Sequence, residues 1–448
     1  MKALATRLMT AAGINPGSRS ERAIYGTAWT FGGYAGGLVI RLAGTVILTR
    51  ILAPEDFGLL NLAMALLAGV SLLSDVGIQT SIVRTSRADD PAFMHTAWTI
   101  QVIRGFAVAV LVVILAKPMA DLYGEALLWP LLSAIALIPL VQGFQSVGLS
   151  LAQREVRLRP LTLFSMTGFA LTQTITIIIV WQLVSVWGLV IGGILGAVLQ
   201  VTLSHLWLPY RRPVWQLERP AVREIMVFGG WVLLASGFQF LGGDGRKAVL
   251  GFMLPLEILG IFGIAEMLSR APSDFCGAVG RRVLFPSISE LMRERPQAVR
   301  AALFRAQVVI IGAFLPGFLL LALIAQDLVD LVYDDRYAEA GAFLTFLALY
   351  SGFLVLEMPY AEAILSKTKG ASYALLIGVT ASCRIAALVI GFQLGGVYGA
   401  IHGIGAAAAI SHLVSLALAY RGGFANPWLD LLGVTLIGGG LAVALSAT

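Results

Sequence analysis

Apolar runs long enough to cross a bilayer recur along almost the whole chain, parted only by short polar breaks. A hydrocarbon core of about 30 Å takes roughly 20 apolar residues per helix. Lipid offers no partner to a bare N–H or C=O, so only helices and closed barrels cross it, and these runs are continuous rather than alternating ten-residue strands. The spans are therefore helical. Composition agrees, with 58% hydrophobic and 12% charged residues and a mean hydropathy of +0.86, where soluble domains carry roughly a quarter charged residues.

Spans are predicted near 27–50, 58–82, 94–116, 127–150, 161–183, 186–208, 224–243, 249–268, 303–325, 341–364, 372–394, 397–420 and 428–446, the last being the weakest. The organisation expected is an N-terminal tail (1–22), a six-helix half (23–208), a linker (209–223), a second six-helix half (224–420) and an extra hydrophobic segment (421–448). With the N-terminus in the cytoplasm, most of the 31 basic residues fall in cytoplasmic breaks, while Arg50, Lys117, Arg246, Lys247 and Arg336 fall outside. The net charge of +6 is then a matter of membrane topology, and no nucleic-acid partner is expected. The first apolar run is too long for a signal-peptide core and no A-x-A site follows it, so it is expected to stay as the first span.

Chemistry-bearing motifs are scarce. Cys276 and Cys383 stand far apart without CxxC spacing, and His95, His205, His402 and His412 show no ligand spacing, so no metal or cofactor is expected. GGDGRK (242–247) lacks the spacing of a phosphate loop and falls outside by the charge pattern, which argues against a nucleotide. The largest insertion is a basic segment (269–302) on the cytoplasmic side, too short for an ATPase domain. Outer loops carry no paired carboxylates that would mark an enzyme.

Residues 48–63, LTRILAPEDFGLLNLA, and 251–265, GFMLPLEILGIFGIA, interrupt apolar runs in nearly the same way, in register apart from one inserted residue. Proline ends one helix and glycine allows a close turn into the next. A duplicated chain is expected: an all-α polytopic membrane protein of two pseudo-repeated six-helix bundles around a central cavity, plus one weaker C-terminal hydrophobic helix. Pro54, Gly58, Pro255 and Gly260 then serve as one outer hinge per half.

Three stretches carry a family resemblance: LTRILAPEDFGLLNLA, LAQREVRLRPL (151–161), and GRKAVLGFMLPLEILGIFGIAEMLSRAP (245–272) leading to RRVLFPSISEL (281–291). Together, over residues 24–420, the chain resembles the polysaccharide transport branch of the MOP superfamily, the Wzx-like oligosaccharide flippases. The resemblance implies a MATE-like fold and a bacterial inner-membrane location. It implies as substrate an undecaprenyl-pyrophosphate-linked sugar, moved for exopolysaccharide or O-antigen-type assembly beside polymerase or glycosyltransferase partners and membrane lipids. An ion-coupled MATE-type exporter and a lipid II flippase are the alternatives. The family usually shows twelve or fourteen spans, so here the last apolar run either crosses the membrane or lies along its surface.

A charge at mid-membrane costs roughly 2.5–3.5 kcal/mol on insertion scales and so marks a polar interior. Arg41, Arg104 and Arg384 all fall near mid-depth of their spans. Their forked guanidinium suits phosphate, and given the substrate class that the resemblance implies, they either hold its pyrophosphate in the central cavity or pair with interior carboxylates. Asp75 and Glu357, at similar depth in opposite halves, are the candidate partners. The other role open to those two is carrying a proton or sodium ion that couples transport. Glu266 and Arg270, four apart, are expected to form a local ion pair with no functional role.

Overall fold

Every regular element is helical among the residues that the computed structural model describes, which are 19–447 apart from 156, 209, 211–213, 281–283 and 368–369. Residues 1–18 of the expected tail, with Arg211, Arg212, Arg281, Arg282 and Lys369 of the basic breaks, lie outside the described residues. Contacts divide the chain into two compact units, one holding Met1–Ile51 and Val70–Leu234, the other Leu52–Gly69 and Ala235–Thr448.

Helix α1 (Arg19–Ile51) stops just before α2 (Pro54–Leu72), whose proline opens the helix where a backbone N–H is spare anyway. In the first unit follow α3 (Ile78–Arg84), α4 (Pro91–Tyr123), α5 (Leu128–Ile135), α6 (Leu137–Gln142), α7 (Gly148–Arg154), α8 (Leu158–Leu183) and α9 (Val186–Trp207). Local sequence sets these limits. Asp90 caps α4 by accepting from the Ala92 N–H, with Pro91 at the first position and Gly124 closing the helix in a left-handed conformation. The expected fourth span is broken at Ala136, three residues before Pro139. Arg154, in the LAQREVRLRPL stretch, donates to the carbonyls of Ile82, Val83 and Thr85 at the end of α3. Arg87 bridges Asp90 and Glu218, and its guanidinium holds the Asp90 carboxyl below the ordinary aspartate range.

Helix α10 (Arg219–Gly242) leads into the second unit, followed by α11 (Gly245–Met253), α12 (Leu256–Val279), α13 (Phe285–Glu294), α14 (Val299–Val309), α15 (Leu315–Leu323), α16 (Ala325–Val332), α17 (Glu339–Lys367), α18 (Gly370–Arg421) and α19 (Pro427–Ala447). A π-helical turn, Ile310–Phe314, joins α14 to α15 just before Pro316 and absorbs the hydrogen bond that proline cannot donate. Helix α18 is two helices meeting at Gly395 and Gly396, the latter at φ 60°, where the sequence placed the break between 372–394 and 397–420.

Nine helical stretches among the described residues are long and apolar enough to cross a membrane, making this a multi-pass membrane protein. The thirteen expected runs exceed that number for physical reasons. The fourth is split, the eleventh and twelfth merge in α18, and the seventh and eighth have different boundaries and carry charge. Helices part at Gly243–Asp244, at the edge of the break expected at 244–248, whereas none part at 269. Short-range bonds carry the backbone through GGDG: Gly243 N–H donates to the Phe240 carbonyl at 3.1 Å, and Lys247 N–H to that of Asp244 at 3.0 Å. A second break, which the sequence did not suggest, is at Leu254–Pro255, and α12 then runs through the first part of the segment expected to be a cytoplasmic insertion.

Pro255 thus precedes α12 as Pro54 opens α2, and within the second unit these two helices cross where both glycines fall. A Cβ on Gly58 would lie 1.8 Å from the Leu256 carbonyl oxygen, and one on Gly260 would lie 1.9 Å from that of Pro54. Glycine is required at both positions because backbone meets backbone. The last apolar run is an ordered helix that packs on α15 and α17, with Asp430 buried, rather than a strip along the surface. Gly58→Ala and Gly260→Ala should each cost at least about 1–3 kcal/mol by overpacking, read as a lowered midpoint of thermal unfolding in detergent. Gly32→Ala, whose Cβ meets nothing within 4 Å among the described residues, should leave that midpoint unchanged.

Candidate functional site

In the second unit, the bonds through GGDG place Arg246 and Lys247 on α11, facing Glu266 of α12. Arg246 Nη2 lies 2.5 Å from Glu266 Oε1 and Lys247 Nζ 3.4 Å from Oε2, while Arg270 Nη1, one helical turn along, is 3.7 Å from Oε1. Glu266 is 3% exposed, so removing it from water is offset only by these three cations. It is the hub of a charge cluster, not half of a local pair. Arg246 and Lys247 are interior residues, which corrects their expected place in an outer loop.

Arg384 of α18 reaches the same region. Its Nη2 is 3.9 Å from Glu357 Oε2 of α17 and donates to Ser411 Oγ at 3.3 Å, and Ser411 and Ser415 each donate to Glu357 Oε1 at 3.0 Å. Arg246, Glu266, Arg270, Asp274, Tyr350 and Arg384 line a cavity of about 260 Å³. The Nε donors of Arg246 and Arg384 are buried and make no hydrogen bond among the described residues. The lining thus holds three arginines and two carboxylates, with Glu357 beside Arg384, and its unspent guanidinium donors could be taken by an anion with several oxygens.

The first unit holds a different cavity, of about 340 Å³, lined by polar residues that include Asp75, Gln101, Arg104 and Gln142. Arg104 Nε donates to the Ser74 carbonyl at 2.9 Å and Nη2 to that of Ser71 at 2.8 Å, with Asp75 Oδ1 3.9 Å away. Two of its donor groups therefore close the turn after Leu72. Arg41 lines neither cavity. Its guanidinium stands 5.7 Å from the Phe169 ring centroid, at an exposed position.

Of the arginines singled out in the sequence, Arg384 joins the cationic cavity, Arg104 lines the neutral one, and Arg41 stands apart. Sequence reasoning missed Arg246 and Glu266. The signal was present in the repeat: if PEDFG opens a helix directly after helical residues, PLEILG must do so too, and Arg246 then falls in the helical stretch just before it, on α11.

The fold is that of MOP-superfamily transporters. A solved structure of the lipid II flippase MurJ in an inward closed conformation aligns with a TM-score of 0.69 at 12% identity, covering 94% of this chain and 92% of that one. An inward-facing multidrug resistance MATE family transporter aligns at 0.59 and 14% identity, over 91% and 96%. Residues 47–342 match the family described as polysaccharide biosynthesis protein, and the chain belongs to that family. Relatives include the lipopolysaccharide biosynthesis protein WzxC of Escherichia coli strain K12, 23% identical over 85% of this chain and 77% of the relative. The succinoglycan biosynthesis transport protein ExoT of Rhizobium meliloti strain 1021 is 22% identical over 78% and 71%.

Glu266→Gln leaves Arg246, Lys247 and Arg270 facing one another without counter-charge, and should destabilise the protein by about 3–5 kcal/mol. Adding Arg246→Met should recover part of that loss in the same unfolding assay. Failure of the double variant to exceed the single one would dissolve the cluster as a unit.

Proposed function

We propose that this chain carries a lipid-linked, pyrophosphate-bearing oligosaccharide from the cytoplasmic to the outer leaflet of a bacterial inner membrane, for polysaccharide assembly. The observation that carries the reading is the buried cationic cavity of the second unit, with the free Nε donors of Arg246 and Arg384. A pyrophosphate offers several acceptor oxygens and compensates the excess positive charge. Family membership and the names of WzxC and ExoT point the same way. The same charge argues against organic cations as cargo, whereas lipid II shares the pyrophosphate and remains the alternative substrate.

In this mechanism no bond is made or broken, so no enzyme chemistry or nucleotide is invoked. The N-terminus is cytoplasmic, two duplicated halves alternate in access around a substrate path, and the prenyl tail stays in lipid. Pro54, Gly58, Pro255 and Gly260 act as the outer hinge through the α2–α12 crossing. Partners are the lipid-linked substrate, membrane lipids and the polymerase or glycosyltransferases that make and consume the glycan. Coupling to a proton or sodium gradient supplies direction.

The test is leaflet-to-leaflet movement of a fluorescent undecaprenyl-pyrophosphate sugar in proteoliposomes. Arg246→Ala and Arg384→Ala should slow it about tenfold or more, the cost of losing a hydrogen bond to a charged group at about 1.5–3 kcal/mol. Arg41→Ala should leave the rate within about twofold, because Arg41 lines neither cavity. Movement by the correctly inserted intact protein no faster than in protein-free liposomes would sink the reading.

A further inference from the structure

Asp75 and Glu357 each lie 3.9 Å from an arginine, Arg104 and Arg384. A second buried polar cluster, away from the cavity lining, has a different character. Asp430 of α19, 2% exposed, accepts from the Tyr360 hydroxyl at 2.6 Å and from Gln307 Nε2 at 3.1 Å. Asn426 Nδ2 donates to Gln307 Oε1 at 3.1 Å, and the Asn426 N–H to the Tyr360 hydroxyl at 3.1 Å.

His412 of α18 is 1% exposed, with Nε2 at 3.5 Å from Asp430 Oδ1. Neither of its ring nitrogens makes a hydrogen bond among the described residues. His412 is also the one basic group within 4.0 Å of the Asp430 carboxylate among those residues. Gln307 from α14, Phe353 and Tyr360 from α17 and Asn426 from the turn before α19 meet the pair, while the carboxylate of Glu357 on α17 is taken up by Ser411 and Ser415, the neighbours of His412 on its own helix. With His412 neutral, the pair buries an uncompensated negative charge beside an unsatisfied imidazole, and each is costly. One added proton, held between Nε2 and Oδ1, makes the pair neutral overall and turns a long approach into a charge-assisted hydrogen bond.

We propose that His412 and Asp430 form a proton-binding site that couples protonation to the arginine-lined cavity. The link is physical and short. Ser411 and Ser415, which flank His412 on one helical turn, hold Glu357 Oε1, and Glu357 is the counter-ion of Arg384 in the cavity. Tyr360, which donates to Asp430, lies one turn along α17 from Glu357. A proton arriving from the aqueous phase at the pair shifts the hold on Tyr360 and the α17–α18 contact that sets Arg384. The coupling role rests on the transport reading above; the site itself does not.

Two measurements on the full chain separate them. The first is a pH titration of the ring ¹H–¹³C signals of its four histidines in detergent, with His412→Gln assigning one signal. That signal should show a protonation step before unfolding, and Asp430→Asn should abolish the step. A His412 signal that stays neutral until the protein unfolds overturns the site, and so does one that responds to sodium at fixed pH instead of to protons.

The second is the pH profile of lipid-linked sugar movement in proteoliposomes. The intact protein should show a pH-dependent rate, and His412→Gln and Asp430→Asn should flatten the profile while movement stays sensitive to Arg246→Ala. Variants that keep the full profile overturn the coupling. No movement at any pH, with the histidine step intact, removes the transport reading and leaves the proton site standing.

Discussion

A charge in hydrocarbon must bring its counter-charge with it. In the second unit that condition is met at Glu266, where one buried carboxylate gathers Arg246, Lys247 and Arg270. The cluster holds α11 against α12 and so fixes the wall of the cavity. Three cations converge there on one carboxylate, with Asp274 also in the cavity lining and Glu357 beside Arg384. The charges that hold this wall together are also the ones a ligand in the cavity would meet.

Arginine plays two separable parts in this molecule. Arg104 and Arg154 turn their donors toward backbone carbonyls near helix ends, where helical bonding runs out. Arg246 and Arg384 are held by carboxylates and keep Nε free. The residue type is the same, and the neighbours decide which part it takes. A carbonyl-capping arginine has little left to offer a ligand, whereas an ion-paired one still presents its planar fork.

Much of the architecture was legible in the sequence, because apolar runs and their breaks report directly on which backbone must be helical. The Gly395–Gly396 turn and the tight PEDFG and PLEILG steps could be read for the same reason. The boundaries around 243–256 could be read only in part: the glycines of GGDG mark a turn, but the short, charged α11 after it and its stop before Pro255 leave little trace when only hydropathy is weighed. The turn is short, closed by i→i+3 bonds, and helix resumes at once at Gly245. That single misplacement hid Arg246 and made Glu266 look like half of a helix-face pair. His412 and Asp430 were illegible for another reason: they are 18 positions apart in sequence, and only the packing of α19 brings them together.

The crossing of α2 and α12 also bears on the order in which this chain matures. Residues 52–69 belong to the unit otherwise built from 235–448, yet they are made first. At a synthesis rate of about 5–20 residues per second, α2 waits about 10–40 s before Leu256 and Gly260 exist to receive it. Throughout that interval the groove at Gly58 faces lipid or a helper protein in place of its final neighbour. The assembly of this transporter is therefore long-range by construction, and its early half is exposed to off-pathway helix pairing that its own second half later forecloses.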